Sequence, residues 1–196
     1  MATVVNKFAL FLQISLILAF LIGTQTREAY SATQTSQQMP QNSAVSIETR
    51  IVRGTSLEPL IAHGTVVTLA MDPTHQLVIA RNDLVAYNTA RDPEAPVLKI
   101  VRGIPGDRFG VVPVQDGIFH LLINGEIVKN SRGLAYRLGG PSARLINAYA
   151  HDDNGVMPAN IYLLLGDNPS GSLDSTRFGL VGRSGIAGKV IKTDPP

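Results

Sequence analysis

From residue 47 onward, short apolar runs alternate with residues that break regular structure. The runs are Thr65–Leu69, Leu77–Ala80, Leu84–Tyr87, Val97–Val101, Ile118–Ile123 and Ile161–Leu165. Each has the length of a strand, and several are rich in β-branched residues. None continues for the dozen residues a helix would want. Asn124-Gly125, set between Ile123 and Glu126, predicts a hairpin whose two central residues take positive φ. The 18 glycines and 12 prolines suit a chain with many tight turns. The pattern predicts a mainly β fold with few helices after residue 25. Residues 108–159 are less regular than their flanks. Within them Ser131–Asn154 is rich in Gly, Pro, Asn and Asp, which predicts inserted loops and short strands.

The N-terminus reads differently. Phe8–Ile22 carries no charge and only Gln13 and Ser15 as polar interruptions, with Lys7 before it. This predicts one apolar helix within residues 1–24, either a membrane anchor or a cleaved signal with Ala29-Tyr30-Ser31 as its cleavage site. On both readings the rest of the chain leaves the cytoplasm. Residues 25–46 are rich in Gln, Ser and Thr and lack periodicity, which predicts a flexible linker.

Composition narrows the chemistry. Net charge is +2 and no Lys/Arg cluster concentrates it, which argues against a nucleic-acid partner. There is no cysteine, so disulfides and thiolate chemistry are excluded. His63, His75, His120 and His151 lack the spacing of a metal site. His151–Gly155 has neither the alternating acids nor the distal Glu of a calcium loop and reads as a polar turn. Nucleotide-binding glycine motifs are absent, and Gly54–Glu58 fails the nucleophile-elbow pattern at its last position.

Two residues remain. Ser56 lies in the turn-like stretch Arg53–Pro59, where its hydroxyl serves either the local backbone or a reaction. Lys99 is one of only five lysines and stands between Leu98 and Ile100. Simple strand alternation would send Leu98 and Ile100 to the core and Lys99 to water. The other reading puts Lys99 under an apolar cover, where desolvation lowers its pKa. A lysine base needs that shift. At its ordinary pKa only about one lysine amine in a few thousand is uncharged at pH 7.

Taken together and in order, the segments resemble the type I signal peptidases. The family's Ser-Met-x-Pro motif is matched by Ser56-Leu57-Glu58-Pro59, and its Gly-Asp-x-Val strand by Asn82-Asp83-Leu84-Val85. Its Lys-x-Val-x-Gly-x-Pro-Gly-Asp motif is met at every specified position by Lys99–Asp107. Its Gly-Asp-Asn and Ser-x-Asp-Ser segment is met by Gly166-Asp167-Asn168 and Ser172-Leu173-Asp174-Ser175. The resemblance spans about residues 50–190.

The resemblance implies a β-sheet catalytic core from 47–107 and 160–196, with 108–159 as a small inserted β/loop region. It implies Ser56 as nucleophile, Lys99 as general base, Ser172 as the hydroxyl that orients the lysine, and Asp174 as a structural carboxylate. The Ser56 N–H would serve the oxyanion. Leu57 and Leu98, beside the pair, are the expected walls of the substrate pocket. No cofactor and no metal are implied. The expected substrate is an exported preprotein cut after a small-x-small sequence, and the membrane is the expected partner of the N-terminal segment. The catalytic domain would then sit on the extracytoplasmic (periplasmic) side, or be exported to the periplasm if the N-terminus is cleaved. The sequence also departs from the pattern. Leu57 replaces Met, Ile100 stands where many members have Arg, Gly54 offers no hydroxyl, and Thr176 occupies the motif Arg position with Arg177 one place later. A dedicated peptidase for pilin or conjugation subunits, a LexA-like autopeptidase and a non-catalytic exported peptide-binding β-domain are the competing readings.

Overall fold

The computed structural model describes residues 45–89 and 92–195. The apolar segment 8–22 and nearly all of the linker predicted from the sequence lie outside these residues. Among the described residues no helix is long and apolar enough to cross a membrane.

The domain is mainly β. Strands β1 (Ser46–Ile51), β2 (Val66–Met71), β3 (Leu84–Thr89), β4 (Asp92–Gly103), β9 (Ile161–Leu165), β10 (Val181–Gly182) and β11 (Ile186–Asp194) form one antiparallel sheet, ordered β1-β2-β11-β3-β4-β9-β10. Strands β5 (Phe109–Gln115), β6 (Ile118–Ile123), β7 (Glu126–Ile127) and β8 (Arg137–Leu138) form a second, smaller sheet. The β6–β7 hairpin turns at Asn124 (φ 52°) and Gly125 (φ 82°), the two positive angles that the Asn-Gly pair predicts.

Two expectations are corrected. Ser131–Asn154 is not only loops and short strands, because Gly140–Asp152 forms a 13-residue helix, α1. Pro141 opens it at a position where its missing N–H costs nothing. Ala143 and Ile146 are buried on one face of α1, with Tyr149 packed beside them. The second correction concerns Leu77–Ala80, which is not a strand. Its backbone donors go to side chains instead: Leu77 N–H to Asp72 Oδ2 (2.7 Å) and Ala80 N–H to Asp83 Oδ2 (2.7 Å). Arg183 completes this loop, pairing with the buried Asp72 and donating to the Leu77 carbonyl.

Three apolar clusters hold the domain. One joins α1 to the second sheet and to β9 through Phe109, Leu121, Ile146, Leu163 and Leu165. Another packs Val85, Val101, Leu164 and Ile186. The third gathers Val52, Val67, Leu69 and Ala86 beneath the segment that carries Ser56. Each fully buried Leu or Ile contributes about 1.5–3 kcal/mol relative to exposure.

Candidate active site

Ser56 sits in a self-bonded turn between β1 and β2. Val52 N–H donates to Thr65 O (2.9 Å), Gly64 N–H to Val52 O (3.0 Å) and Ile61 N–H to Leu57 O (2.9 Å), which closes the segment on itself. Gly54 adopts φ 85°, a backbone conformation that β-carbon sterics disfavour, so a residue bearing a hydroxyl side chain would be strained there. Leu57 is buried in the apolar floor (2% exposed) and leaves Ser56 half-buried beside it.

Lys99 comes from β4, opposite Val85 of β3. On the other side of β4 the ladder to β9 ends at the pair Ile100–Leu165. After Leu165 the chain turns, and Asp167 N–H donates to Ser56 O at 2.8 Å. The end of β9 therefore delivers the Ser56 turn to the flank of β4 where Lys99 emerges. Lys99 Nζ lies 3.1 Å from Ser56 Oγ and 3.0 Å from Leu98 O. Simple alternation fails at this position. Lys99 is 3% exposed and Ile100 1%, so neither side of the strand meets water here. Burial pushes the Lys99 amine below the ordinary lysine value, and the Asp174 carboxylate partly opposes that shift.

Asp174 is buried and receives four donors, none of them cationic. Thr176 N–H (3.1 Å) and Thr176 Oγ1 (2.8 Å) donate to Oδ1, while Gly166 N–H (3.1 Å) and Ser172 Oγ (2.5 Å) donate to Oδ2. It also caps the short helix α2 (Ser175–Phe178). Thr176 thus supplies the hydroxyl donor where the family pattern has Arg. Arg177 is exposed and makes no ion pair with Asp174 among the described residues. The Ser172 hydroxyl is directed to Asp174; among the described residues it makes no hydrogen bond to Lys99.

A cavity of about 430 Å³ opens on the pair. Ser56, Leu57, Leu98 and Lys99 all line it, with Val67 and Leu69 at its apolar base. Among the described residues no cluster of three or more His, Cys, Asp or Glu side chains is placed to hold a metal ion. Asn82, where the family pattern has Gly, takes φ 68°, a left-handed conformation that asparagine tolerates better than most residues.

Sequence reasoning assigned no role to several residues that build this site. Asp167 is fully buried; besides holding Ser56 O, it faces the Arg102 guanidinium at 3.5 Å and accepts from Ser131 N–H at 3.0 Å. Tyr136 donates to Gly166 O at 2.6 Å. A β-carbon on Gly166 would meet Ser56 O at 2.5 Å and the Ser172 hydroxyl. The Gly-Asp-Asn motif pointed to Gly166 and Asp167, but nothing in the sequence pointed to Tyr136.

A lysine amine thus stands against a serine hydroxyl at the head of an apolar cavity, on a β scaffold. The family model described as signal peptidase, peptidase S26, matches residues 2–193. The chain belongs to that family and is a serine peptidase. Among solved structures, a signal peptidase I from Enterococcus faecalis shares 23% identity, covering 59% of this chain and 98% of that one, at a TM-score of 0.38. Among individually curated proteins, none matches the chain.

Proposed function

We propose that the chain is a serine endopeptidase that removes signal peptides from exported preproteins, with Ser56 and Lys99 as its catalytic pair. The observation that carries this reading is the 3.1 Å approach of an almost fully buried lysine amine to a serine hydroxyl. Uncharged Lys99 takes the Ser56 proton as Oγ attacks the scissile carbonyl. The Ser56 N–H, which has no acceptor among the described residues, donates to the developing oxyanion. The Lys99 ammonium then protonates the departing amine, leaving an acyl-enzyme and neutral Lys99. Water attacks the ester, Lys99 takes its proton and returns it to Ser56, and the acid product leaves.

Asp174 holds Gly166 and Ser172 in place behind the pair and keeps a negative charge near the lysine. Leu57 and Leu98 wall the cavity that takes the small residues before the cleaved bond. The flank of β4 before Ile100, which has no partner strand among the described residues, gives an extended peptide a place to pair. Phe8–Ile22 anchors the domain in the membrane on its extracytoplasmic face, which raises the effective concentration of membrane-bound substrate.

The test is incubation of the full-length protein, in detergent, with a labelled preprotein. Cleavage after the small-x-small sequence, lost in both Ser56→Ala and Lys99→Ala, supports the reading. An active Lys99→Ala variant, or an inert wild type, sinks it.

A further inference from the structure

A second hollow, of about 460 Å³, lies on the other side of the nucleophile turn. Thr55, Glu58, Pro59, Asn130, Arg132 and Asn168 line it, and it shares no lining residue with the apolar cavity. The turn itself is the divide. Ser56 and Leu57 face the apolar cavity, while Thr55, Glu58 and Pro59 face the hollow. The hollow mixes the amides of Asn130 and Asn168 and the charges of Glu58 and Arg132 with Pro59, Leu134 and Pro169.

The backbone of Arg132 is tied to the turn that carries Ser56. Its loop is folded around Asn130, whose Oδ1 accepts from Arg132 N–H (3.0 Å) and Leu134 N–H (2.9 Å). Asn130 Nδ2 donates to Asp167 O (3.0 Å), and Ser131 N–H donates to Asp167 Oδ1 (3.0 Å). Asp167 N–H in turn holds Ser56 O. One buried residue therefore ties together the Arg132 loop and the Ser56 turn. The Arg132 guanidinium is exposed and has no hydrogen bond or ion pair among the described residues. Glu58 is the other charge on the hollow, and its Oε1 accepts from His63 N–H at 3.4 Å.

We propose that this hollow receives the substrate segment that follows the scissile bond, and that Arg132 selects for a carboxylate side chain within its first three residues. The proposal rests on the reading of Ser56 and Lys99 as the catalytic pair. Small residues before the cleaved bond occupy the apolar cavity, so the chain beyond the bond leaves Ser56 on the opposite side. Three extended residues span about 10 Å, enough to cross a hollow of this size. A carboxylate placed beside Arg132 meets an unpaired guanidinium and a lysine there meets like charge, whereas beside Glu58 on the opposite wall the preference reverses, so the selection belongs to the one position that Arg132 reaches.

The experiment uses full-length Ser56→Ala protein in detergent, which retains uncut peptide, and fluorescent peptides with Asp, Asn or Lys at the first, second or third position after an Ala-x-Ala sequence. Binding is measured by anisotropy at low and high salt. The expected result is that, at one of these positions, the Asp peptide binds about fivefold more tightly than the Lys peptide, that Arg132→Glu reverses the order, and that salt shrinks the difference. An Asp/Lys ratio left unchanged by Arg132→Glu at all three positions overturns the proposal. The same peptides are given to the Ser56 protein. If they are not cut while the charge-dependent binding persists, the catalytic reading fails, and with it the place of this segment after a scissile bond, while Arg132 stands as a charge-selective peptide contact.

Discussion

Asp167 N–H donates to the carbonyl oxygen of Ser56 at 2.8 Å, so the turn after β9 clamps the turn that carries the proposed nucleophile. Gly166 lies between β9 and that clamp, with no room for a side chain. Gly166→Ala is expected to push the Ser56 turn and Ser172 apart. It should cost about 1–3 kcal/mol of stability and remove most preprotein cleavage. Thermal melting and a cleavage assay check both effects; an alanine variant with wild-type turnover refutes the clamp.

The dyad predicts a pH profile. Lys99 accepts a proton only when uncharged, so kcat/KM rises with pH through its pKa. Burial places that rise below the ordinary lysine value of 10.5. The Asp174 charge holds the pKa up, so Asp174→Asn should move the rising limb to lower pH, whatever it does to the plateau. A limb that stays in place or moves upward contradicts the assignment of Lys99 as the titrating base.

Lysine burial also costs stability. Because the folded pKa is depressed, the unfolded chain holds more protons between the folded and unfolded values, and stability rises with pH across that window. The cost is fully present below the folded pKa and gone above the unfolded one. Lys99→Met should therefore be inactive yet melt higher than wild type at pH 6, by about 2–4 °C for each kcal/mol relieved, with the gap closing toward pH 10. Calorimetry at the two pH values tests this, and a methionine variant that melts lower at pH 6 contradicts it.

The departure from the family motif at Thr176 and Arg177 gives a contrasting pair. Thr176→Val removes the hydroxyl donor to Asp174 Oδ1 and should cost about 1 kcal/mol. Arg177→Ala touches an exposed side chain with no ion pair to Asp174 among the described residues, and should stay within about 0.5 kcal/mol of wild type. Denaturant melts of the two variants settle which residue supports the carboxylate.

Leu84–Tyr87 and Ile161–Leu165 were readable from the sequence as strands and pair with their neighbours, whereas β1, β5 and β11 pair as fully but lack a comparably uninterrupted apolar run and were not singled out. Leu77–Ala80 had the same composition but a different outcome, because Asp72 and Asp83 intercept its donors, and periodicity does not report such a competition. Helix α1 was hidden by the glycines and proline at its start, although Ala143, Ile146 and Tyr149 repeat at helical spacing behind them. For Lys99, strand alternation misleads because it presumes one wet face. Both sides are covered, and the cover includes Ser56 from a distant segment. Long-range closure of this kind leaves no local trace. Motif order located the pair, and only the folded chain gives its spacing.

Because β9 ends opposite Ile100, the part of β4 before it keeps one flank unpaired among the described residues. Such a rim is a hazard for any protein at high concentration, since a second copy can stack against it. Pro96 lies in that stretch on the side of the open rim and carries no N–H, so the row of donors is interrupted there. The outer end of the strand is thereby guarded against self-association, while the end nearest Lys99 stays open to a visiting chain.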